Sequence, residues 1–116
     1  MVKEREEAGR PLMTMERAVN RLTAEIADWY GVDAGHLAEG RRADIVVVDP
    51  AGLNADLDAY HEAPVEAFGG LSRMVRRNDD AVRATIIGGQ VVYTPAGFCE
   101  GFGEKQAAGR FLAPTV

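Results

Sequence analysis

Cysteine, serine and histidine are all scarce in this 116-residue chain, and each scarcity removes a class of chemistry. Cys99 stands alone, so no internal disulfide can form, which fits a reducing cytoplasm. A single small thiol is a packing residue by default rather than a nucleophile. Ser72 is the only serine and has no G-x-S-x-G context, which argues against a serine hydrolase. The two histidines, His36 and His61, lie twenty-five positions apart, with no H-x-H pair. The longest apolar run, Ile45 to Val48, is too short to span a bilayer. A basic segment followed by an apolar one is also missing at the start, so no secretory signal is read. Thirteen basic residues against eighteen acidic ones give 13 − 18 = −5, with the arginines scattered among acids. That balance disfavours nucleic acid as a partner.

Enough remains for one modest core: 47% of the residues are hydrophobic and 27% charged, and the length suits a single domain. Residues 1–13 are charged and read as a frayed lead-in. Thr14 suits an N-cap, with Glu16 in the first turn. Met15, Val19, Leu22, Ile26 and Trp29 or Tyr30 then recur at three- and four-residue spacing, with Ala18 and Ala27 on the same face. This predicts one amphipathic helix of about four turns, stopped by Gly31. Val32 to Glu39 reads as a loop with Gly35 and Gly40 as turn points. Asp44 to Asp49 encloses four β-branched residues before Pro50 and predicts a strand buried on both faces. Ala51 to Gly70, interrupted by Pro64 and Gly69-Gly70, is expected to be an irregular excursion with one helical turn. Ala81 to Ile87 and Gln90 to Thr94 flank Gly88-Gly89, the pattern of a tight hairpin closed by Pro95. Phe98 to Val116 is expected to pack without regular structure. The fold class that follows is α+β, one helix packed on a small, mainly antiparallel sheet.

The stretch Gly40-Arg41-Arg42-Ala43-Asp44-Ile45-Val46-Val47-Val48-Asp49 resembles the G-[KR]-x-A-D-[IL]-V-V-x-D signature of metal-dependent amidohydrolases. Ala18 to Ala27 is similar to the A-V-x-x-L-T-x-x-x-A helix pattern of the same superfamily. The segment Arg76 to Gly89 looks most like the branch of D-aminoacylases and N-acyl-D-amino-acid deacylases, and Gly109-Arg110-Phe111-Leu112 resembles its G-[RK]-x-L ending. The likeness covers residues 14–112, taken as one C-terminal domain, with 113–116 as a tail. It implies part of a composite β-sandwich attached to a catalytic barrel of about 250 residues. In such enzymes an H-x-H pair, a bridging lysine or cysteine, further histidines and an aspartate bind zinc and activate water toward an amide carbonyl. No catalytic, cofactor-binding or metal position of that set carries over to this sequence. The resemblance therefore implies a non-catalytic portion of a zinc-dependent amidohydrolase, with zinc held by the full-length parent and not by this chain.

The remaining candidates have plain readings. His36 is a loop histidine. His61 with Asp58 and Glu62 could clasp a divalent ion, but polar loops produce such triplets by composition. Asp56, Asp58, Asp79 and Asp80 could supply paired carboxylates, yet solvated turn acids account for them. Gly69-Gly70 and Gly88-Gly89 lack the spacing of a phosphate loop. An unpaired sheet edge and the helix face of Val19, Leu22, Ile26 and Trp29 are expected to seek a partner, either the missing barrel or a second copy. A stand-alone interaction module is the alternative function. A third reading is a small metal-binding protein using His36, His61 and the nearby acids; a zinc content near one per chain would mean that His36, His61 and Cys99 converge.

Overall fold

The computed structural model describes residues 8–9, 12–54, 61–66, 69–75, 80–105 and 107–115. Two helical segments come first, α1 (Met15–Leu22) and α2 (Ala24–Tyr30). Strands β1 (Ile45–Val48), β2 (His61–Val65), β3 (Leu71–Val75), β4 (Val82–Ile87), β5 (Gln90–Thr94) and β6 (Gly97–Phe98) follow. They form a four-stranded sheet in the order β1-β4-β5-β6 and a separate β2-β3 ribbon, with every pairing antiparallel. This is the α+β fold that the sequence predicts.

The helix starts and stops where the sequence places its signals. The Thr14 hydroxyl accepts the Arg17 amide at 3.2 Å. Gly31 lies at φ 65°, its amide donating to the Asp28 carbonyl while the Val32 amide reaches the Ala27 carbonyl. Those two bonds make a Schellman ending. The single predicted helix, however, breaks at Thr23, where φ is −124° and ψ −87°. There the threonine hydroxyl donates to the Val19 carbonyl at 2.8 Å. Such back-bonding by a mid-helix threonine bends the axis. Arg17 bridges the break by an ion pair to Glu25.

Burial departs most from the expectation. Among the described residues the buried apolar set is Ala18, Ala24, Ala27, Ala81 and Val92. The large side chains of the helix face are outside: Leu22 is 74% and Trp29 80% exposed. The strand expected to be buried on both faces is likewise open, with Val46, Val47 and Val48 exposed on β1, the end strand of its sheet. The helical turn is the 3-10 turn Pro50–Gly52, which begins one residue before Ala51, and β2, paired with β3, replaces the irregular excursion for 61–65, while 55–60 and 67–68 lie outside the described residues. Pro64 fits there opposite Ser72, since a two-stranded ribbon leaves each strand an outer edge needing no amide donor. Phe98 also leaves the predicted irregular tail, as β6 pairs Phe98 with Tyr93.

The loop after α2 is fitted tightly to the helix break. A Cβ on Gly35 (φ +75°) would lie 2.7 Å from the Thr23 carbonyl carbon and oxygen, whereas one on Gly40 (φ +80°) would meet nothing within 4 Å. Both positions carry the left-handed backbone penalty, but Gly35 adds a backbone clash. Urea denaturation should therefore show Gly40→Ala costing about 1 kcal/mol and Gly35→Ala about 2–3 kcal/mol. Equal losses would mean that the loop is not packed on Thr23.

Candidate functional site

A cluster of specific contacts lies where the Gly40–Asp49 stretch meets the β4–β5 hairpin. Both turn glycines have positive φ, 58° at Gly88 and 83° at Gly89, as a two-residue hairpin needs. The Gly88 amide donates to Asp44 Oδ1 at 2.7 Å, and the Gly89 amide donates to the Ala43 carbonyl at 2.9 Å. Asp44 thus serves a turn forty-four residues away as well as its own loop. Arg42 Nε contacts both Asp44 oxygens, at 2.9 and 2.8 Å, while its Nη2 donates to the Ala108 carbonyl. A Cβ on Gly88 would sit 3.1 Å from Arg42 Nη1, so the guanidinium occupies the space that a side chain there would need.

Electrostatics follow from these bonds. The hydrogen bond from Arg42, then that from the Gly88 amide, hold the Asp44 carboxyl below its ordinary value, with the charges of Arg42 and Arg110 acting in the same direction. Glu16 is also lowered, by its own backbone amide and the Thr14 hydroxyl. Beside the node, Asp33 takes Arg41 at 3.0 Å and Arg110 at 3.4 Å. These are charge pairs and turn bonds that hold backbone segments in position.

The sequence-derived candidates do not gather. His36 Nε2 lies 2.8 Å from Asp28 Oδ1, tying the Val32–Glu39 loop to α2. Cys99 is half-buried, with its amide on the Val92 carbonyl at 2.9 Å. Glu62 is exposed on β2, Ser72 exposed on β3, and Asp80 exposed in the turn before β4. Asp56, Asp58, Asp79 and the His61 side chain lie outside the described residues. Among the described residues no group of three or more His, Cys, Asp or Glu could hold a metal ion. His36 stands in the loop after α2 and Cys99 follows β6, so these two donors lie on separate elements. Among the described residues no helix is long and apolar enough to cross a membrane. Arg42 is the residue that sequence reading missed; an arginine two positions before the signature aspartate was the available signal.

Comparison with known proteins gives the chain its relatives. The model of the amidohydrolase family matches residues 4–93. Uncharacterized proteins of Mycobacterium bovis and Mycobacterium tuberculosis are each 46% identical over 114 residues, covering 95% of this chain but 19% of their own length. The chain thus spans about a fifth of the length of these relatives. Dihydroorotases of Bacillus thuringiensis and Bacillus cereus are 45% identical over 38 residues, 33% of this chain and 9% of theirs. No solved structure matches.

Because Asp44 is lowered in the folded state, its stabilisation is full above the ordinary value of 3.8 and is lost as pH falls through the lower folded value. Asp44→Ala should cost about 1 kcal/mol at pH 7, the low end for a charged hydrogen bond because the side chain stays partly exposed. The gap from wild type should be constant from neutral pH down to about pH 5 and shrink toward about pH 3. A gap independent of pH across that range would remove the charge from the account.

Proposed function

The chain belongs to the amidohydrolase family, and on that premise we propose that it is the C-terminal, non-catalytic module of a zinc-dependent hydrolase of non-peptide C–N bonds. N-acyl-D-amino acids are the proposed substrate class, on the likeness of Arg76–Gly89 and Gly109–Leu112 to D-aminoacylases. Zinc and the hydrolytic step belong to the remainder of the polypeptide, the barrel. One observation carries the reading: the chain aligns along 95% of its length with relatives of which it covers 19%, while its own helix and strand faces stay uncovered. A domain that closed its own core would bury Leu22, Ile26 and Val46 to Val48. Here they are exposed on the helix face and on β1, where an apolar partner could cover them.

The module's contribution is mechanical. The Arg42–Asp44–Gly88 node joins β1 to the hairpin, and β1 and the helix face present apolar side chains toward the rest of the enzyme. Without that covering, the same surface favours a second copy, through the β1 edge or through the helix. This second reading, an interaction module without hydrolase activity, rests on the exposure of Val19, Leu22, Ile26 and Trp29.

The test is complementation. With zinc present, the purified chain should not hydrolyse N-acetyl-D-amino acids above a mock preparation. Co-expression with the remainder of the Mycobacterium tuberculosis relative should yield a stable complex and hydrolysis. Turnover by the chain alone would overturn the non-catalytic reading. Turnover by the complex on cyclic amides but not on N-acyl-D-amino acids would overturn the substrate class. A complex that forms without any hydrolysis would favour the interaction module. Light scattering should show a mass that rises with concentration for the chain alone; a constant monomer mass would rule out self-association.

A further inference from the structure

The segment after β6 returns along the molecule and touches both of its halves. The Ala108 carbonyl accepts Arg42 Nη2 at the signature node. Two residues on, Arg110 Nη2 reaches Asp33 Oδ2 at 3.4 Å, in the loop that leaves the helix. At its end Thr115 donates twice to the Gly31 carbonyl, from its amide at 2.6 Å and from Oγ1 at 2.8 Å. The carbonyl of a helix-terminating glycine would otherwise face solvent, and here one residue supplies it with two hydrogen bonds. The approach is close enough that a Cβ on Gly31 would lie 3.1 Å from the Thr115 carbonyl oxygen.

From these three tethers we infer that Ala107–Thr115 is a strap that sets the orientation of the helical segment relative to the four-stranded sheet. The need for it is physical. The helix buries only alanines, so packing alone gives α1 and α2 little hold on the rest of the chain. The loop Val32–Glu39 fastens one side of the helix, through Gly35 at Thr23 and His36 at Asp28. The strap fastens the C-terminal end of α2 and runs back to Arg42, the residue that locks β1 to the hairpin. The helix end and the sheet are thereby tied to one segment at both ends. It also gives a physical role to Gly109-Arg110-Phe111-Leu112, whose arginine is the middle tether. The consequence for the enzyme rests on the reading proposed above: the strap fixes the angle between the exposed helix face and the β1 edge, the two surfaces that the rest of the polypeptide would cover.

A distance measurement tests the strap without reference to activity. Two spin labels on an Arg21→Cys variant, one on the introduced thiol and one on the native Cys99, report helix against sheet by pulsed electron resonance. The full chain should give one narrow distance distribution, and a chain ending at residue 106 one at least about twofold broader, with the amides of β4 and β5 still protected from exchange. If truncation unfolds β4 and β5 as well, the full-length Arg110→Ala/Thr115→Pro variant decides, since it removes the middle tether and both Thr115 donors. An unchanged distribution in whichever variant keeps its hairpin would overturn the inference. Complementation is a separate readout: a broadened distribution with full rescue of hydrolysis would keep the strap and remove its consequence for the enzyme, whereas failure of the unaltered chain to complement bears only on the proposed function.

Discussion

Side-chain volume sets the terms for this chain. The described residues bury four alanines and one valine. Burial of an alanine methyl is worth about 0.8 kcal/mol, against about 1.5–3 kcal/mol for a leucine or valine side chain. The ordering of each backbone residue costs about 1–2 kcal/mol, so such an interior cannot hold two helical segments and two sheets together by packing alone. What joins the parts instead is a small number of polar tethers placed between backbone turns. Asp44 reaches the hairpin, Arg42 the returning segment, His36 the helix, and Thr115 the helix end. Each is partly exposed, and partly exposed pairs are individually weak. The fold's completeness then depends on what covers the leucine, valine and tryptophan side chains left outside.

That dependence connects the structure to its relatives. The chain belongs to the amidohydrolase family, covers 19% of the length of the Mycobacterium proteins it matches, and leaves the largest apolar side chains of its described helix in solvent; the proposed role as part of a larger enzyme rests on these observations. The duties of the signature stretch are structural: Asp44 and Ala43 close the hairpin turn, and β1 continues from them as an end strand of β-branched residues. In this arrangement of described residues carboxylates meet arginines and amides.

Much of the local structure was legible because it is set by neighbours in sequence. Thr14 before an amphipathic run, Gly31 after it, and Gly88-Gly89 between two β-branched runs each demand one backbone geometry, and each was found there. The helix break at Thr23 was not legible, because its cause is a choice by one hydroxyl between solvent and the Val19 carbonyl. The β2–β3 ribbon was hidden by Pro64, which argues against a central strand but not against an edge. Exposure of β1 was missed for a different reason: four β-branched residues show that a strand forms, not which other elements cover it. At the site, Asp44 was readable as part of the signature stretch, but its partner Gly88 was not. That pairing exists only once β1 and β4 are in register.

The claim that this chain does not enclose its own core is tested most directly by the heat capacity change on unfolding, measured by calorimetry on the 116-residue chain. A self-contained domain of this length should give about 1.4–1.7 kcal/mol/K. The expected value is about three-quarters of that, because the folded chain leaves 9120 Å² exposed, against about 6,200 Å² for a closed fold of this mass. A value within the full range would contradict the claim, since the leucine, valine and tryptophan side chains would then have to be buried within the chain itself.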